Sequence, residues 1–277
     1  MNFKKIFLAA ALTFGTFSAS ATFLTNDLGG AEGFGENVLA ANDDDSTGFL
    51  DLTTVFSGGL DFFGTNYTGL YTNNNGNLTF NDPQFAFTPE AINGATSNPI
   101  IAAFFADVDT GGGAATATPG GNSTGSNLVY WDLDTVGGIF TATWDDVEYY
   151  GSNTDKLNSF QIAIFDQDNG DFDIELRYEE LNWTTGNLSG GTDGLGGTIA
   201  RAGYSAGNGL DFFELAASGD QEQMLNLNNT SNVGTAGLYR FEVRNGVVVN
   251  DVPEPSTLAI FALGLMGLAS CRFKKQS

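Results

Sequence analysis

The side chains of this sequence that could do chemistry are almost all carboxylates. Asp107 and Asp109 flank Val108 in FFADVDT (104–110). At strand spacing they point to one face about 7 Å apart, close enough to share a cation, which makes them candidate calcium ligands. The alternative is a solvated strand end running into a glycine-rich loop. Trp144, Asp146, Tyr149 and Tyr150, in WDDVEYY (144–150), form a candidate glycan contact, because sugar rings stack on aromatic faces while carboxylates accept hydroxyl protons. A simpler arrangement puts Trp144 in the core and the acids outside. Paired carboxylates could also hydrolyse a glycosidic bond.

Two more acidic runs fit a metal less well. DQDNGD (166–171) has Gly170 fifth rather than sixth and no glutamate at position twelve, which excludes an EF-hand and leaves a polar turn. In NDDDSTGFLDL (42–52), Asp43, Asp45, Thr47 and Gly48 align with the opening of a calcium loop, but Thr54 stands at position twelve. Asp44-Asp45 reads more simply as a charged edge that discourages sheet-to-sheet association. Histidine is absent and Cys271 is the single cysteine. That removes imidazole acid-base work, Ser-His-Asp and Cys-His catalysis, thiolate metal sites and any disulfide within the chain. With no nucleophile elbow, P-loop or dinucleotide fingerprint in the body, the expectation is a protein that is not an enzyme, with calcium as its one candidate cofactor.

The chain has 33 acidic and 10 basic residues in 277. Lys4, Lys5, Arg272, Lys274 and Lys275 lie in the two end segments, together with Glu254, so the body without those ends keeps 5 bases against 32 acids, a net charge of −27. Such a surface repels phosphate backbones and anionic headgroups, which excludes nucleic acid as a partner and leaves cations, neutral glycans or basic proteins. High charge can signal disorder, but 24 phenylalanines are enough rings for a large core.

Residues 1–21 have the parts of a secretory signal peptide: Lys4 and Lys5, an apolar run from Ile6 to Phe17, and Ala19-Ser20-Ala21 as cleavage site, with Thr22 as the first mature residue. At the other end, residues 257–271 form a fifteen-residue apolar segment, about 22 Å as a helix and short for a bilayer. Arg272, Lys274 and Lys275 hold its far end on the cytoplasmic side, so the membrane is met only through the signal peptide and this transmembrane helix. Pro253-Glu254-Pro255, the apolar run and the basic tail, in that order, resemble the PEP-CTERM sorting signal of polysaccharide-producing Gram-negative bacteria. The resemblance implies processing by an exosortase and delivery of the body to the cell surface, envelope or matrix. A plain C-terminal anchor is the alternative.

The elements that must position the carboxylates are strands. Phe172, Ile174, Leu176 and Tyr178 alternate with Asp173, Glu175, Arg177 and Glu179, the pattern of a strand with one face buried and its charges in water. Phe160, Ile162 and Ile164 alternate just upstream, so 166–171 closes a hairpin. From Ile139 to Tyr150 the apolar set changes phase at Asp145-Asp146, as at a β-bulge. NNNGNLTF (73–80) carries an Asn-Gly turn, and TGGGAATATPGGNSTGSN (110–127) reads as a flexible loop. No stretch of the body has a convincing amphipathic helix. The expected fold is an all-β, antiparallel, jelly-roll-like sandwich in one domain.

Six blocks in order extend this reading: DDDSTGFLDL (43–52), LDFFGTNYTGLYTNNNGNLTF (60–80), PIIAAFFADVDT (99–110), FTATWDDVEYY (140–150), NSFQIAIFDQDNGDFDIELRYEELNWTTG (158–186) and ARAGYSAGNG (200–209). They resemble the NIDO domain of nidogen, alpha-tectorin and membrane mucins. The resemblance implies an extracellular adhesion module that binds polysaccharide or a surface protein, as in cell-matrix adhesion or a biofilm matrix. The chain then divides into a signal peptide (1–21), a lead-in (22–41), the NIDO-like domain (42–246), a linker (247–252) and the sorting signal (253–277).

Overall fold

The computed structural model describes residues 24–94, 98–151 and 153–249. The expected signal cleavage site, the sorting motif and the apolar segment 257–271 lie outside the described residues. Among the described residues no helix is long and apolar enough to cross a membrane.

Among the described residues there are sixteen strands, fourteen of them in the two sheets of the antiparallel sandwich that the sequence predicts. The larger sheet runs β1 (Asn37–Leu39), β9 (Leu128–Asp134), β10 (Ile139–Tyr149), β11 (Asn153–Asp166), β12 (Phe172–Leu181), β15 (Leu238–Arg244), β16 (Val247–Val249), with β8 (Val108–Asp109) also paired to β10. The second runs β14 (Phe212–Glu214), β13 (Arg201–Ser205), β7 (Ile100–Phe105), β6 (Asn77–Thr79), β5 (Gly69–Asn73), β2 (Leu50–Asp51). β3 (Leu60–Phe62) and β4 (Thr65–Tyr67) form a small hairpin. Helical structure among the described residues is limited to α1 (Gln221–Leu225), capped by the Asp220 side chain, and two 3-10 turns.

The alternation in sequence becomes one continuous apolar face. Phe140, Ala142 and Trp144 on β10 stand opposite Ile164, Ile162 and Phe160 on β11, which in turn face Ile174, Leu176 and Tyr178 on β12. Period-2 side chains on adjacent antiparallel strands must meet in this way once register is set. Against them the second sheet packs Leu70, Leu78, Ile101 and Phe104 in a single core. Phe104 touches Phe160 across the sheets at 5.5 Å between ring centres. The polar handles of the large rings end on backbone carbonyls, as burial requires: Trp144 Nε1 on Asn74, Trp183 Nε1 on Val147 and Tyr178 OH on Ala103.

The expected 166–171 turn is present, and so is the bulge. Register slips between Trp144 and Val147, where Asp146 adopts a φ of 48°. The opposite face of β12 departs from expectation. Asp173, Glu175 and Glu179 are buried rather than solvated. Asp173 pairs with Arg240 and Arg244, and Glu175 with Arg177. Glu179 accepts the backbone N–H groups of Asn122 and Ser123. A second layer therefore covers the outer face of the larger sheet. It is built from the 110–127 segment and the N-terminal residues, whose Thr25 exchanges two hydrogen bonds with the Gln161 side chain. The lead-in thus supplies β1, and the expected linker supplies β16 at the other edge.

Candidate functional site

FFADVDT does not run as one strand. β7 belongs to the smaller sheet and β8 pairs with β10 of the larger, so the chain changes sheets at Ala106-Asp107. A tight Val108 N–H to Ala106 carbonyl bond of 3.0 Å marks the corner. The shared-face geometry expected of Asp107 and Asp109 fails for that reason. Asp109 turns back to accept the Gly111 N–H at 2.8 Å. Asp107 meets Asp43 and Asp44 instead, one carboxylate oxygen from each of the three lying within 4.8 Å of the others.

Local structure explains how residues so far apart in sequence converge. The β5–β6 turn, Asn74-Asn75-Gly76, is buried. Gly76 has φ 78°, and a Cβ there would sit 1.9 Å from the Phe104 carbonyl oxygen, so only glycine fits the turn. Asn74 donates to the backbone carbonyls of Asp43 and, at 2.6 Å, Val108. Asn75 accepts the Val108 N–H at 2.8 Å and donates to Asp44 Oδ1 at 2.8 Å. The turn is therefore a clamp that holds the 42–45 loop against the sheet-switching corner. Gly186 closes the far side, where a Cβ would lie 2.3 Å from Asp107 Oδ2. Asp45 satisfies the Ser46 N–H and stays outside the group.

Asp107 is 1% exposed, and its Oδ2 has no hydrogen-bond partner; nor has Asp43 Oδ1. Burial, followed by the charges of Asp43, Asp44 and Asp109, pushes Asp107 up to about 7. Burial and the charges of Asp44 and Asp109 push Asp43 to about 6. The five bases of the body, Lys156, Arg177, Arg201, Arg240 and Arg244, pair with acids elsewhere. An all-oxygen set of hard donors such as this suits calcium or magnesium and no softer ion. The sequence marks Asp107 by its type. It hides Asp44, Asn75 and Gly186, whose roles depend on contacts across 31 or more residues.

The candidate glycan contact requires correction. Trp144, Asp146 and Tyr149 are buried and Tyr150 is partly so. Trp144 stacks on Phe160 at 5.1 Å and 14°, and the Tyr149 ring packs on Trp183. These rings cannot offer a face to a sugar. The bulge turns two successive carboxylates toward the same covering segment. Asp145 accepts from Thr124 and Ser126, through both backbone and hydroxyl of each. Asp146 accepts from Thr118, Gly125 and Ser159. Glu148 accepts the Gly112 N–H. The acids that sequence reading placed in water hold down residues 110–127, which are a fastened strap and not a flexible loop.

Comparison with known proteins places this architecture. The nidogen-like domain model matches residues 68–245, and the PEP-CTERM protein-sorting motif matches residues 251–275. Alpha-tectorin of Mus musculus is 36% identical over 195 residues, 66% of this chain and 9% of its own length. Alpha-tectorin of Gallus gallus is 33% identical over 214 residues, 73% of this chain and 10% of its own length. Nidogen of Drosophila melanogaster is 32% identical over 201 residues, 66% of this chain and 14% of its own length. The chain thus spans between 9% and 14% of the length of these relatives. No solved structure matches. The sorting motif and the nidogen-like module together make this an exported, exosortase-sorted surface protein. The strands β5 to β15, which come from both sheets, and the corner at Asp107 fall within the matched stretch, and the chain belongs to the nidogen-like domain family.

Proposed function

We propose that the exported body is a non-catalytic adhesion module acting at the cell surface or in the extracellular matrix, with exopolysaccharide or a surface protein as partner. The nidogen-like match over residues 68–245, joined to a sorting motif in the same chain, carries this reading. The carboxylates around Trp144 support the non-catalytic part, because they are consumed in fastening the strap. In this reading signal cleavage leaves Thr22 as the new N-terminus. The apolar segment 257–271 crosses the membrane, with Arg272, Lys274 and Lys275 inside, and exosortase cuts near Pro253-Glu254-Pro255.

Contact falls to side chains the fold leaves in water. Phe85 and Leu188, 54% and 62% exposed, sit on two loops that meet through the Thr88 and Ser189 hydroxyls at 2.8 Å. The experiment is a binding isotherm of the exported body on exopolysaccharide from the producing cell and, in parallel, on its washed cell surface. Saturable binding to either supports adhesion and names the partner. An absence of binding to both refutes it.

A further inference from the structure

We propose that Asp43, Asp44 and Asp107 hold one calcium ion that ties the 42–45 loop to the corner where the chain changes sheets. A cluster of acids is common without a cation. Asp107, 1% exposed, gives one carboxylate oxygen to the group with Asp43 and Asp44, and its buried Oδ2 has no hydrogen-bond partner. Buried polar atoms are nearly always satisfied, and an orphaned one that is charged needs a reason. A cation shared by three carboxylates supplies one.

Geometry agrees. Opposite ligands on calcium stand about 4.6–5.2 Å apart, and the three oxygens spread over no more than 4.8 Å. The set is irregular, with two ligands from adjacent residues of a half-exposed loop and one from a rigid corner. That suits calcium, whose coordination is flexible and accepts water at the open positions, better than magnesium, which demands a near-ideal octahedron. Asn75, donating to Asp44 Oδ1, orients one ligand from the second layer. Gly186 keeps the wall beside Asp107 flat enough for the carboxylate to fit. Asp43 and Asp44 precede the stretch matched by the family model, so the ligand set joins the matched module to its own N-terminal flank. The proposal does not rest on adhesion, and either reading can fail alone.

The test is calcium titration of chelator-stripped full-length protein in detergent, read by calorimetry and by melting temperature, with magnesium in a parallel arm. The expected result is one site per chain and a melting temperature about 5–10 °C higher at a hundredfold excess over Kd. Asp107→Asn should lose that rise, and in chelator it should melt no lower than the parent, because it removes an unpaired buried charge. Where Asp107→Asn does not fold, Asp44→Asn decides, since its half-exposed carboxylate leaves the corner intact. A rise lost in Asp44→Asn supports the site. The proposal falls if about 10 mM calcium leaves the melting temperature unchanged, if the rise survives in these variants, or if magnesium gives the same rise.

Discussion

Asp107 shows how one residue acquires a role from its surroundings. In chelator, its carboxyl and that of Asp43 lie above their unfolded values, at about 7 and about 6. A raised acid binds more protons folded than unfolded, so its contribution favours folding below about pH 4 and is lost as pH climbs through about 7. The calcium-free protein should therefore lose melting temperature over that window more steeply than Asp107→Asn does, which a pair of pH series would show. Gly186→Ala places a methyl 2.3 Å from Asp107 Oδ2 and should displace the carboxylate. A loss of about 1–3 kcal/mol in denaturant unfolding is expected, together with a weakened calcium response. The residue type of Asp107 was legible in the sequence and its partner was not. FFADVDT has unbroken strand character, and nothing local tells a reader that the chain turns a corner at Ala106. The contact with Asp43 spans 64 residues, and periodicity is silent at that range.

Among the elements, the β10–β11–β12 meander was the most legible part. Its apolar period, its polar 166–171 turn and the phase change at Asp145-Asp146 all map onto the observed pairing. The strap was misread for a physical reason. Glycine-rich composition implies chain freedom, but each glycine and serine also exposes an N–H, and the bulge sends two carboxylates to collect them. Alternation tells which residues share a face and not what covers the outer one. Asp146→Ala removes the acceptor for Thr118, Gly125 and Ser159. It should cost about 2–4 kcal/mol and open the 110–127 segment to elastase, read as new cleavage there while the sheet stays intact. Unchanged digestion would mean that the strap is held by its other contacts alone.

For the whole molecule, charge and export were legible from composition and from the C-terminal sorting motif, because one is a sum and the other a linear motif that needs no fold. The partner surface was not. The sequence nominated the aromatics of WDDVEYY, and the core took Trp144 and Tyr149. Exposure is decided by the packing of the entire body, and it leaves Phe85 and Leu188 outside instead. Phe85→Ala combined with Leu188→Ala should weaken binding to the surface partner by tenfold or so, about 1.4 kcal/mol, with melting temperature within a degree or two of the parent. Equal loss of binding and of stability would place these rings in the fold and not at the contact.

The position of β16 has a mechanical consequence. It is the outermost strand of its sheet, paired to β15 over three residues, with Val249 opposite Glu242 and the turn at Asn245-Gly246. A pull entering the body through its C-terminal side arrives at the open end of this hairpin, so it peels the pairs one after another and does not shear them together. Beyond them lies β15, secured to β12 by six residue pairs and by the Asp173 ion pairs to Arg240 and Arg244. Under load from that side the short strand yields first. The sandwich behind it keeps its shape, so β16 would act as a mechanical fuse if the proposed surface role loads the body through its C-terminal side.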